Sequence, residues 1–187
     1  NIGGAHQENF FSLQEKCYEK LTLFKDCDVV IYDADNEFIA NCVQKRMLPA
    51  REIAWSRQDA ERPLYIRRIE KADEYTRITY VYLGMENSYQ LPFIDDASIE
   101  NSLHCLAACL YLMLPPEAIT ERMAHLEPVA MRLEVKEGKR GCLLINDSYN
   151  SDLASLDIAL DFLYRRSLSK GLKRTLILSD ILQTGKN

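Results

Sequence analysis

Three sets of residues in this chain have the types and spacing to do chemistry. His6 follows a glycine pair, and Lys20 stands on a stretch with helical periodicity downstream of it. An imidazole can ligate a metal, although a histidine beside a glycine pair also serves simply as a turn residue. Lys20 follows Glu19 and lies four residues after Lys16, a pattern that equally suits a solvated helix face. Asn101 and His104 are separated by three residues in a second helical stretch, so both are expected on one face. An amide both gives and takes hydrogen bonds, whereas a neutral imidazole has one donor and one acceptor on opposite sides of its ring. Asp147 ends an apolar run just before a helix, where ligands of open α/β sheets gather, and Arg132 precedes that run. A turn or N-cap role would explain Asp147 as well.

The elements that must position these residues can be read from periodicity. Ser12 and Glu15 form a capping-box pattern ahead of an apolar stripe at Leu13, Cys17, Leu21 and Phe24. DVVIYDA (28–34) has the composition of a buried parallel strand. A helix over 36–47 should follow, ended by Pro49. EIAWS, LYIRRIE, TRITYVYLG and SYQLPFI read as strands, the last two as an antiparallel hairpin across Gly84-Met85-Glu86-Asn87. Residues 97–114 predict a long buried helix and 116–126 a shorter one opened by proline. From about Pro128 a new unit is expected: RLEV, CLLIND, a helix over about 152–166, then TLILSD. Strand, strand, helix, strand is the opening of a dinucleotide-fold-like α/β unit.

Composition narrows the function classes. Among 187 residues, 47% are apolar, which is enough for a packed core. A net charge of −5, with basic residues interleaved among acids, argues against a general nucleic-acid binder. The longest apolar segment, 103–114, is too short to span a bilayer and is interrupted by His104. Cys17, Cys27, Cys42, Cys105, Cys109 and Cys142 make no CxxC pair and suit a reducing cytosol. Cys105 and Cys109 beside His104 lack a matching pair for zinc and read as helix core. TGKN at the end is not a phosphate loop, because position 180 is Asp where glycine is required and no Ser or Thr follows Lys186. The Asn146-Asp147-Ser148 sequon lies at a strand end and carries little weight as a glycosylation site.

Three strings, NIGGAHQENFFSLQEKCYEK (1–20), ASIENSLHCLAACLY (97–111) and MRLEVKEGKRGCLLINDSYNSDLASLDIALDFL (131–163), occur in an order and spacing that resemble the Mur ligase family. The resemblance covers most of the chain and implies an α/β fold. Residues 1–127 would be the later part of a P-loop-type central ATP-binding domain, a mostly parallel sheet with helices and a small antiparallel subsheet. Residues 128–187 would begin a Rossmann-like C-terminal domain, and the glycine-rich phosphate loop would lie upstream of Asn1. The chain is thus read as a piece of a longer enzyme, catalytically silent by itself.

The resemblance also implies roles. His6 and a carbamylated Lys20 would hold magnesium, a hard cation that takes oxygen ligands and that a bare ammonium would repel. Asn101, and His104 at a position where the family carries asparagine, would hold the adenine of ATP. The family's HNxxN reads ENSLH here, so Glu100 and His104 are departures. Arg132, Asp147 and Asn150 would reach ribose or phosphate on domain closure. DSYN (147–150) favours the branch that joins D-alanyl-D-alanine to UDP-N-acetylmuramoyl-tripeptide in the cytoplasm during peptidoglycan synthesis. Glu100, His104 and Leu153, the last in a proline position, resemble a subgroup fused to an alanine racemase. A sister ligase, such as another Mur ligase or a folylpolyglutamate synthase, and a non-catalytic nucleotide-binding module are the alternatives.

Overall fold

The computed structural model describes residues 2, 10–127, 133–148 and 153–178. Two compact units divide the chain, Asn1–Ile2 with Gln14–Leu126, and Gly3–Leu13 with Glu127–Asn187. No helix among the described residues is long and apolar enough to cross a membrane.

The first unit contains α1 (Leu13–Leu21, whose first residue falls to the second unit), β1 (Val29–Asp33), α2 (Glu37–Arg46), β2 (Arg51–Ser56), β3 (Leu64–Lys71), β4 (Thr76–Tyr82), β5 (Met85–Leu91), α3 (Asp96–Tyr111) and α4 (Pro116–Ala124). The strands form one mixed sheet in the order β1-β2-β3-β4-β5. β1, β2 and β3 are parallel, and β3, β4 and β5 are antiparallel. β2 and β3 share only the pairs Trp55–Leu64 and Ser56–Tyr65. β3 therefore starts beside the end of β2 and runs on past it. That small overlap is why the short 57–63 loop can join two parallel strands without a crossover helix.

β1 and α2 form as the sequence predicts. Val30 and Tyr32 point into a core with Cys42, Val43, Cys17 and Leu21. Asn36 caps α2 by accepting from Ile39 N at 3.1 Å, and the helix ends at Met47 in the left-handed region (φ 48°), ahead of Pro49. The β4–β5 connection is tighter than expected. Leu83 and Gly84 alone form the turn, with φ of 49° and 82°, and Met85, Glu86 and Asn87 pair with Tyr82, Val81 and Tyr80. Two consecutive positive φ values give the twist that a two-residue hairpin requires, and Gly84 supplies one without steric cost.

α3 carries one apolar stripe, Ile99, Leu103, Leu106, Ala107 and Leu110, buried against Trp55, Ile66, Ile78, Tyr80, Tyr89 and Leu91 of the sheet. Asp95 caps it, accepting from Ser98 N at 2.8 Å. It stops at Tyr111, short of the predicted 114, because Met113 adopts a left-handed conformation. Met113 N then donates to Leu110 O and Leu114 N to Cys109 O, the two bonds of a Schellman stop.

In the second unit, β6 (Glu134–Glu137) and β7 (Leu143–Asn146) pair antiparallel, and α5 (Leu153–Lys170) follows. Of the expected strand TLILSD (175–180), residues 175–178 carry no ladder among the described residues, and Ser179 and Asp180 lie outside them.

Leu106 is fully buried between sheet and helices. Leu106→Ala should cost about 2–5 kcal/mol in a urea melt. A loss below about 1 kcal/mol would mean that the α3 stripe is not the main support of this unit.

Candidate functional site

A pocket of about 320 Å³ lies in the first unit at the carboxyl end of β1. Its apolar lining comes from α1, β1 and α2, including Leu21, Val30 and Ile39, and four polar side chains join it: Lys20, Asp33, Glu100 and His104. Lys20 reaches it from the last turn of α1, beside Cys17 and Leu21, which are buried and line the same pocket. The exposed lysine is therefore held by an anchored helix.

Asp33 closes β1 and is half-buried. Its Oδ1 accepts from Asp35 N at 2.9 Å. Burial pushes its carboxyl above the usual carboxylate range, and the nearby charges of Asp35 and Glu100 push the same way. Asp35 ties the strand ends together: it accepts from Ser56 Oγ, and from Arg57 N at 2.6 Å. Ser56 Oγ in turn accepts from Gln58 N and Asp59 N. This network fixes the loops at the sheet edge where open α/β folds place ligands. Asp33 was missed in the sequence, although the rule that singled out Asp147, an acid ending an apolar strand, applies equally to it.

His104 is held from two sides. Trp55 Nε1 donates to His104 Nδ1 at 3.2 Å, with the rings edge-to-face, centroids 5.4 Å apart at 69°. On the other side Nε2 lies 3.8 Å from Glu100 Oε1. Burial lowers the imidazole's pKa, and Glu100 partly opposes that shift. Asn101, by contrast, is exposed and is not part of the pocket lining. The companion of His104 in the pocket lining is Glu100, one full turn away on α3.

In the second unit Asp147 Oδ1 accepts from Leu133 N at 3.1 Å and secures the start of β6. Next to it, Ser148 Oγ donates to Asn146 Oδ1 at 2.8 Å. His6, Arg132 and Asn150 lie outside the described residues. Among the described residues, no group of three or more His, Cys, Asp or Glu side chains could hold a metal ion.

The architecture defines a class. MurF from Acinetobacter baumannii has the same fold, with a TM-score of 0.75 at 20% identity over 88% of this chain and 36% of that one. MurF ligase from Thermotoga maritima in complex with ADP gives 0.69 at 17% identity, over 88% of this chain and 38% of that one. No family model matches the chain. The particular likeness is carried by sequence: UDP-N-acetylmuramoyl-tripeptide–D-alanyl-D-alanine ligase of Bacillus subtilis (strain 168) is 27% identical over 191 residues, 99% of this chain and 39% of that protein. The resemblance to the Mur ligase family, and within it to MurF, is borne out. The chain spans about two fifths of the length of the curated relative it matches.

Because His104 resists protonation in the folded chain, the unfolded chain binds this proton first as pH falls. The His104 contribution to stability is present above about pH 6.5 and is lost as pH falls from there toward the lower folded value. His104→Asn should flatten the decline of the urea midpoint between about pH 7 and 5. Parallel slopes for the two proteins would show that the imidazole is not desolvated.

Proposed function

We propose that this chain is the nucleotide- and metal-handling section of a MurF-type ligase. Residues 1–127 form the later part of its central ATP-binding domain, and residues 128–187 open its C-terminal domain. The observation that carries the reading is the pocket at the end of β1, where Lys20 from the first motif meets Glu100 and His104 from the second. Its size falls at the lower end of the range for small-molecule sites.

The complete enzyme would form an amide bond in peptidoglycan precursor synthesis in the cytoplasm. The carboxylate of UDP-N-acetylmuramoyl-tripeptide takes the γ-phosphoryl group of ATP, giving an acyl phosphate and ADP. The amine of D-alanyl-D-alanine attacks the acyl carbon, and inorganic phosphate leaves. Magnesium would offset charge on the phosphates. His6 and carbamylated Lys20 would hold that ion, since a carbamate turns a cation into a carboxylate-like oxygen donor. Asn101 and His104 would contact adenine, and Arg132, Asp147 and Asn150 ribose or phosphate. A fused alanine racemase domain would account for the departures at Glu100, His104 and Leu153.

In the complete enzyme, Lys20→Ala should abolish ligation with little change in melting temperature, because the side chain is exposed and off the core. Added formate or acetate should partly restore turnover by replacing the missing anion. Near-normal turnover without any addition would exclude the carbamate role. Asp147→Ala should depress turnover at least about tenfold, or about 1.4 kcal/mol of barrier, and should also cost about 1 kcal/mol of stability through the lost Leu133 bond. Stability loss with unchanged turnover would leave Asp147 as a purely structural clasp.

A further inference from the structure

Of the six cysteines in the chain, Cys17 and Cys42 alone are buried. Cys17 comes from α1 and Cys42 from α2, and the two meet in the core beside Leu21, Val30 and Val43. A buried cysteine by itself packs as a small apolar residue. This pair does more than pack, because the Cys17 side chain is hydrogen-bonded to the Cys42 thiol. Burial, and then that neighbouring thiol, push the Cys17 thiol up to about 12. A thiol held in this way reacts slowly, so the pair rests as a dithiol and yields only to sustained oxidant. Access comes from one side. Cys17 forms part of the pocket wall at the end of β1, whereas Cys42 is not among the lining residues. Lys20 lines the same pocket, three residues after Cys17 on the same helix.

We infer that Cys17 and Cys42 are a reversible oxidation site, at which a peroxide entering the pocket closes a disulfide between α1 and α2 and displaces Lys20. The Cys17 sulfur attacks one peroxide oxygen. The O–O bond breaks, Cys17 becomes a sulfenic acid, and the other oxygen leaves as water with the thiol proton. The Cys42 sulfur then attacks the sulfenic sulfur. The S–S bond forms, the S–O bond breaks, and the hydroxyl leaves as a second water with the Cys42 proton. The two thiols lose two electrons in all, and one peroxide gains them. Bond formation draws the sulfurs from hydrogen-bond contact to about 2 Å. α1 has only nine residues, so a pull on Cys17 is passed to Lys20 within one short helix. A misplacement of about 1 Å in a positioned group costs about a hundredfold in rate. Oxidation would therefore silence ligation, and reduction would restore it. That consequence rests on the ligase reading given above, whereas the disulfide itself does not.

The test uses the complete enzyme, treated with hydrogen peroxide and then alkylated, with a dithiothreitol-reduced sample alongside. Non-reducing peptide mass mapping should show the peptide carrying Cys17 joined to the peptide carrying Cys42, and the reductant should separate them. Ligation should fall about a hundredfold on oxidation and return on reduction. Cys42→Ala removes the partner sulfur from behind the pocket wall. It should ligate normally before treatment and keep most of its turnover under the same oxidant. A loss in Cys42→Ala equal to that of wild type would place the sensitive thiol elsewhere and overturn the inference. Oxidation of the exposed Cys27 and Cys105 with no link between Cys17 and Cys42 would also overturn it, as would a complete cross-link with unchanged turnover. If Cys42→Ala does not fold, the cross-link and its reversal in wild type decide. An untreated enzyme that does not ligate would overturn the ligase reading instead, and the peptide map, which needs no activity, would still decide the oxidation site.

Discussion

The burial of the α3 stripe against the sheet is the constraint on which the site depends. Ile99, Leu103, Leu106 and Leu110 recur at helical spacing and contact strands β2 to β5. Once that face is committed, every other residue of α3 has a fixed direction. Glu100 and His104 fall on the flank that meets the end of β1, and Asn101 is rotated out to solvent. A polar pair can be placed accurately only by an element that cannot roll. The close packing of this core makes such rolling costly.

A second support comes from the turn network at the strand ends. Asp35 accepts from Ser56 Oγ and from Arg57 N, so the loops after β1 and β2 are joined. Asp33 and Trp55 are partners in the β1–β2 ladder just ahead of that clasp. The hydrogen bond from Trp55 to His104 then links the clasp to α3. The site is assembled on rigid elements, with its loops held by side chains and not by length alone, which suits a pocket that must keep one geometry.

Much of this was legible in the sequence, for identifiable reasons. β1 and α2 announce themselves by composition and period, and both form within a residue or two of their predicted bounds. α3 was legible too, but its end was not. A left-handed methionine stops it where the sequence offers no glycine. The sequence places the hairpin turn at 84–87 and the structure makes it at 83–84, because Met85, Glu86 and Asn87 look like loop residues until Leu83 is known to accept a positive φ. The site was legible as residue types but not as a face. Spacings of three and four both share a helix surface, and only the packing direction of the stripe decides that His104 pairs with Glu100. Trp55 could not have been found from sequence, since nothing local connects it to a helix almost fifty residues later.

The charge of the pocket lining sets what a modified Lys20 would require. The lining brings together one cation, Lys20, two acids, Asp33 and Glu100, and an imidazole whose protonation burial opposes. Asp33 already feels the cost, because burial and its neighbouring acids push its carboxyl upward. With an unmodified lysine and both acids ionised, this set carries one excess negative charge. A carbamate on Lys20 would make it strongly anionic in a partly desolvated pocket, which such a site tolerates only when a cation of matching charge arrives with the substrate. On the proposed ligase reading, lysine modification and divalent-ion binding would be coupled events in this pocket, each making the other favourable. His104 stands apart from that exchange. Its Nδ1 accepts from Trp55 Nε1, so the neutral ring carries its proton on Nε2 and adds no charge to the field.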